Sequence, residues 1–239
     1  MAGPYVAISA QMATERRLAT IANNIANMNT PGFRAEAIRF EAVLSSAGAQ
    51  DAHFASAGES YTSLAAGAAI HTGNPLDVAP QGDVWFGVAG PNGAAYTRDG
   101  RLHMDAAGTL LTVDNLPVLD AGGTPITLDP AAGAINIGAD GAISQGTTRV
   151  GTLGLFTLPA GATVARDGGG RVMPDRPAQP VQDFARLGVR QGYIEGSNVD
   201  PVLEMTRLIT VQRTFEMAAQ AVQQNEDSVS EAIRTLGPS

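Results

Sequence analysis

Apolar residues recur at helical spacing near both ends of this chain and at strand-like spacing in its middle. From Pro4 to Met28 the sequence avoids internal glycine and proline, and Leu18, Ile21, Ile25 and Met28 lie three and four residues apart, which places them on one helical face. Pro4 fits the first turn, where its missing N–H costs nothing. Asn29-Thr30-Pro31-Gly32 is the stop signal, because the residue before a proline leaves the α region and glycine tolerates a reversal. Beyond Phe33, the segment Arg34 to Leu44 fits either a short helix or an extended run.

The C-terminal pattern is longer. Gly196-Ser197-Asn198 is a natural helix start with Pro201 just inside it, and no further glycine or proline occurs until Gly237-Pro238. Leu208, Phe215, Val222, Val229 and Leu236 fall every seven residues, with Val211, Ala218, Asn225 and Ala232 at the complementary positions, a seam suited to packing on another helix. Asn225 is the polar member. It either pairs with a polar group such as Gln11 or Thr14, fixing register, or turns towards water. Helices with one apolar stripe need a partner, and the pattern alone slightly favours an α+β domain whose terminal helices pack on its own sheet over helices that pair with each other.

Between the ends the texture changes twice. Alanine, glycine and serine dominate from Ser45 to Thr72, which predicts a weakly structured connector. From Pro75 to Leu158 short apolar runs are cut by the turn pairs Asn92-Gly93, Asp99-Gly100, Ala107-Gly108, Gly122-Gly123 and Asp140-Gly141, the signature of an antiparallel β domain. Its expected core includes Val84, Phe86, Val118, Ile126 and Leu155. The stretch from Arg166 to Pro180, rich in glycine and proline, predicts a loop leading away from that domain.

Composition narrows the functions. With 239 residues and 44% hydrophobic content the chain can bury a core. A formal charge of -8 opposes a nucleic-acid partner. All 15 cations are arginine, a bias shared with abundant alanine and glycine and so attributable to base composition. Cysteine is absent, which excludes disulfides and thiolate metal sites. His53, His71 and His103 are isolated, and Gly168-Gly169-Gly170 precedes no helix that would complete a phosphate cradle. No hydrolase or nucleotide-binding motif occurs. The expectation is a protein that is not an enzyme and uses no cofactor or metal. The N-terminus lacks the pattern of a cleaved secretory signal, and no apolar run approaches the ~20 residues of a membrane span.

Two motifs at opposite ends carry a resemblance. Ala22-Asn23-Asn24-Ile25-Ala26-Asn27-Met28-Asn29-Thr30-Pro31-Gly32-Phe33-Arg34 resembles the N-terminal signature of flagellar rod, hook and hook-associated proteins. Glu195-Gly196-Ser197-Asn198-Val199-Asp200-Pro201, with Glu204-Met205 and Gln212-Arg213-Thr214-Phe215-Glu216, resembles their C-terminal signature. Gly73 to Ala79, Gly82-Asp83 and Tyr96-Thr97-Arg98-Asp99-Gly100 resemble the β domain of hook and long-rod members. Val84 departs from the glycine usual there, so a reshaped turn is expected. Length and tail are most similar to the proximal-rod members, with distal-rod and hook-type members as the alternative. Outside the family, the competing reading is a β-rich enzyme or carbohydrate-binding module.

The resemblance implies an α+β fold in which the N- and C-terminal helices pair as a coiled-coil-like domain beside a central antiparallel β domain. It divides the chain into an N-terminal helix and signature segment (1–44), connector (45–74), β domain (75–165), return loop (166–192) and C-terminal helix (193–239). The interface residues it implies are Leu18, Ile21, Ile25, Met28, Leu208, Val211, Phe215, Ala218, Val222, Asn225, Val229 and Leu236. Its signature residues are Asn23, Asn24, Asn27, Asn29, Gly32, Phe33, Ser197, Asn198, Gln212 and Arg213. The expected partners are other rod subunits, further copies of the chain and the flagellar type III export apparatus. The expected location is the rod where it crosses the periplasm, transmitting torque from motor to hook.

Overall fold

The computed structural model describes the backbone of residues 3–39, 42–45, 52–55 and 59–236, with side chains described chiefly in residues 8–38 and 60–224. The chain divides in space into two compact units, each assembled from separate stretches of sequence.

The larger unit comprises Asn27–Ala35 and Thr62–Val199 and is mostly β. Its main sheet has six antiparallel strands in the order Val164–Arg166, Val172–Pro174, Gly93–Thr97, Trp85–Gly90, Leu155–Thr157, Gln179–Pro180. A three-stranded antiparallel sheet of Ile135–Ile137, Ala142–Gln145 and Thr148–Thr152 accompanies it. Successive strand residues point to opposite faces, so the neighbours Trp85 and Phe86 enter different cores. Phe86 joins Val78, Val84, Leu110, Val118 and Ile143, while Trp85 joins Tyr96, Phe156, Leu158 and Val172. Tyr96 meets Phe156 edge to face at 5.3 Å between ring centroids.

The turn pairs behave as their chemistry requires, with one exception. Gly93, Gly108, Gly123 and Gly141 have positive φ, as tight reversals demand. Gly100 does not turn the chain; its carbonyl accepts the Val78 N–H at 2.9 Å. Val84 needs no special backbone either, since positive φ falls on Gly82 at 72° and the valine side chain is fully buried. The segment 166–192 is not a plain loop: it supplies the strands Val172–Pro174 and Gln179–Pro180 to the main sheet and Gly188–Gln191 to a pair with Val78–Gln81.

The smaller unit comprises Met1–Ala26, Glu36–Tyr61 and Asp200–Ser239. It holds α1 (Gly3–Ala26) and α2 (Pro201–Leu236). Asp200 caps α2: its Oδ1 accepts the Val202 and Leu203 N–H groups at 3.0 and 3.1 Å. After Phe33 the chain is extended rather than helical, with Glu36–Arg39 pairing Glu59–Thr62 and Ala42–Ser45 pairing Ala52–Ala55.

The expected coiled-coil-like domain of paired terminal helices is not the architecture. There is one long C-terminal helix of 36 residues, a shorter N-terminal helix of 24, and a mostly β centre. Two features of the sequence explain the correction. α1 ends at Ala26, so Met28, the last residue of its apolar stripe, lies off the helix and in the other unit. That leaves α1 with too short a stripe for a heptad seam, and it shares its neighbours between α2 and the strands Glu36–Arg39 and Ala52–Ala55.

Candidate functional site

The signature segments meet around one carboxylate. After α1, the Thr30 N–H donates to the Asn27 carbonyl and the Phe33 N–H to the Thr30 carbonyl, a tight turn that brings Gly32 against the Arg98-Asp99 main chain just past the strand Gly93–Thr97. Gly32 has φ 69°, and a Cβ there would collide with the main chain of Arg98 and Asp99, so both conformation and space require glycine. Its N–H donates to the Glu195 carbonyl at 2.8 Å.

Arg34, Arg98 and Glu195 are almost wholly excluded from water. Arg34 Nη2 reaches Glu195 Oε1 at 2.8 Å, and Arg98 donates from Nε and Nη2 to Oε2 at 2.9 and 2.5 Å. The Gly67 N–H also donates to Oε1, at 3.0 Å. Arg98 Nη1 donates to the carbonyls of Gly82 and Val84, and Arg34 Nη1 to that of Ala65. Both guanidiniums lie over the Trp85 ring, Arg34 at 5.9 Å and Arg98 at 5.6 Å from its centroid. Burial first, and the charge of Arg98 second, lower the Arg34 pKa to about 10 despite the opposing pull of Glu195 and Asp83. Arg34 therefore stays cationic at neutral pH.

Two asparagines hold the adjacent residues Ala35 and Glu36. In the larger unit Asn198 Oδ1 accepts the Ala35 N–H at 2.6 Å, its Nδ2 donates to the Ala65 carbonyl at 2.7 Å, and its own N–H donates to the Phe33 carbonyl. In the smaller unit Asn24, 1% exposed, accepts the Glu36 N–H at 2.9 Å and donates to the Glu36 carbonyl at 2.8 Å. Its Nδ2 also lies 3.4 Å from Oε2 of the buried Glu204. The amide satisfies a main-chain donor and acceptor as a neighbouring strand would.

The remaining expected residues scatter. Phe33 is buried beneath the Arg166 guanidinium, 4.9 Å from its ring centroid, and Ser197 Oγ accepts the Val199 N–H. Asn23, Asn29, Gln212 and Arg213 are exposed, and Asn27 and Met28 are half-buried. On α1, Ile21 is buried and Leu18 and Ile25 are half-buried. On α2, Val211 is buried, and Leu208, Phe215, Ala218 and Val222 are half-buried. The side chains of Asn225, Val229 and Leu236 lie outside the described residues. Sequence reasoning missed the roles of Arg98, Glu195 and Trp85, although the first two stand inside quoted motifs. It also missed the second apolar face of α2, where Val202, Met205, Ile209 and Met217 are exposed.

Three family models match the regions that supply these side chains. "Flagella basal body rod protein" matches residues 5–34, ending on Arg34. "Flagellar hook protein FlgE/F/G D1 domain" matches 79–145, which contains Arg98, and "Flagellar basal body rod FlgEFG protein C-terminal" matches 190–235, which contains Glu195. A flagellar basal-body rod protein FlgF of Mesorhizobium japonicum is 50% identical over 233 residues, covering 98% of this chain and 97% of that protein. The chain belongs to the flagellar basal-body rod protein family. Another FlgF, of Rhizobium meliloti, is 44% identical over 99% of this chain and 98% of its own length. A rod protein FlgG of Bacillus subtilis is more distant, 30% identical over 96% of this chain and 97% of its own. This rod-family chain is thus a FlgF-like structural subunit. In it, the buried Arg–Glu–Arg cluster draws one side chain from each matched region.

Proposed function

We propose that this subunit is built into the rod through the outward face of α2, with other rod subunits and further copies of itself as neighbours. The observation that supports this is the exposure of Val202 (76%), Ile209 (54%) and Met217 (62%), together with Met205, on the side of the helix opposite the buried Val211. Successive residues rotate by about 100° around a helix axis, so these four share one face. A helix apolar on two faces has one face left to cover, and an assembled filament covers it. In this reading the role is mechanical rather than catalytic: the subunit carries torque between motor and hook, needs no cofactor, and binds neither nucleic acid nor a bilayer. Among the described residues no helix is long and apolar enough to cross a membrane. Delivery by the flagellar type III apparatus and a position where the rod crosses the periplasm complete the proposal.

The test is the double variant Val202→Asp, Ile209→Asp expressed in cells deleted for the native subunit. The expected result is loss of swimming and absence of the variant from purified basal bodies, while Trp85 fluorescence of the soluble protein stays native. Normal motility with the variant present in basal bodies would overturn the proposal.

A further inference from the structure

Two buried guanidiniums and one carboxylate make an unusual centre for a β unit. Among the described residues, Glu195 is the only carboxylate in hydrogen-bond contact with Arg34 or Arg98. The three come from distant stretches of chain, yet their side chains are only 1–3% exposed. Burying one cation unpaired is strongly unfavourable, and burying two in each other's field is worse.

We propose that Glu195 is a closing counter-ion: Arg34 and Arg98 hold the larger unit open until the C-terminal motif docks, so the unit closes only when both end motifs are in place. The strand Tyr193–Glu195 arrives with the carboxylate and pairs antiparallel with Ala69–His71. The Gly67 N–H and the Gly32 N–H complete its reception. Carbonyls of Ala65, Gly82 and Val84 take further donors of the two guanidiniums, but they bring no neutralising charge. Closure leaves two cations bonded to one carboxylate, with Asp83 adding a coulombic pull on Arg34, and Arg34 Nε without a hydrogen-bond partner. The closed state therefore carries residual electrostatic cost, and removing the one carboxylate that bonds both cations reopens it. A chain whose C-terminal motif is missing or displaced cannot form this core, which makes the cluster a coincidence lock on both ends.

Trp85 is the single tryptophan of the chain and lies under both guanidiniums, so it reports the closure directly. In the full-length protein, Glu195→Gln keeps the shape but deletes the charge. The expected result is a red-shifted Trp85 emission and an opening equilibrium, read by acrylamide quenching, raised by about a hundredfold or more. The second variant combines Glu195→Gln with Arg34→Met, which removes one of the cations that oppose closure. It is expected to be more protected than Glu195→Gln alone, even if the single variant does not fold. Unchanged quenching in Glu195→Gln overturns the proposal. So does a double variant no better protected than the single one, because Glu195 would then act by packing and hydrogen bonding rather than as a counter-ion.

Discussion

The two units solve the problem of burial differently. In the larger one, Val78, Val84, Trp85, Phe86, Val88, Leu110, Val118 and Ile143 have no measurable exposure. In the smaller one, the residues described as buried are Ala13, Ile21, Asn24, Glu204 and Val211, of which two are polar and one is alanine. Large side chains there remain in water: Ile8, Met12, Val202, Leu203, Met205, Ile209 and Met217 are all exposed. Hydrophobic stabilisation follows apolar area removed from water, so among the described residues most of it lies in the larger unit, although Leu64, Ile70, Val113, Val150 and Phe184 are exposed there too.

Equal side-chain deletions should cost the two units unequally. Ile143→Ala should destabilise the larger unit by about 4–5 kcal/mol, the high end for such a truncation, read from denaturant unfolding followed by Trp85 emission. Ile21→Ala in the smaller unit should cost about 2 kcal/mol, the low end for such a truncation, because fewer buried neighbours surround it. Equal losses in the two experiments would contradict the contrast.

Gly32→Ala tests whether the signature turn belongs to the larger unit. Strain from a positive φ is worth about 1–3 kcal/mol, and the collision with the Asp99 main chain adds to it. The loss should appear in Trp85 emission as well as in global unfolding. A loss confined to helical circular dichroism would move the turn to the other unit.

Asn24→Ala probes the smaller unit. It removes two hydrogen bonds to the Glu36 main chain, at about 1–3 kcal/mol, and should lower helical circular dichroism while leaving Trp85 emission native. The smallest effect belongs to Met217→Ser. In the unassembled chain it should change stability by no more than about 0.5 kcal/mol, whereas incorporation into basal bodies should fall. A large loss in the unassembled protein would mean that this face of α2 is already covered.

Much of this was legible in sequence because the signals were local. The periods of 3.6 and 2 marked the terminal helices and the β centre, and the turn pairs marked most of its reversals. Gly32 could be read as a reversal from Pro31-Gly32 alone, and the paired end motifs carried the family. The choice between helix and extended chain after Phe33 was not legible, since that segment is anchored from outside by Asn24 and Asn198. Neither was the extent of the main sheet, whose strand Val172–Pro174 pairs with Gly93–Thr97 through the single register Val172↔Tyr96.

Neighbouring residues were enough to mark the two terminal helices, the β texture of the centre and the family resemblance, but not the strands Ala52–Ala55, Glu59–Thr62 and Ala69–His71 in the expected connector or those in 166–192. Only the tertiary structure decided that Arg34, Arg98 and Glu195 share one buried cluster and that α2 has two apolar faces with different exposure. An ion pair between residues 97 positions apart leaves no periodic trace, since its partners are set by how sheets and end segments come together. Exposure is likewise a property of what covers a surface. The heptad in α2 marked one apolar stripe, and the fold left the opposite one in water.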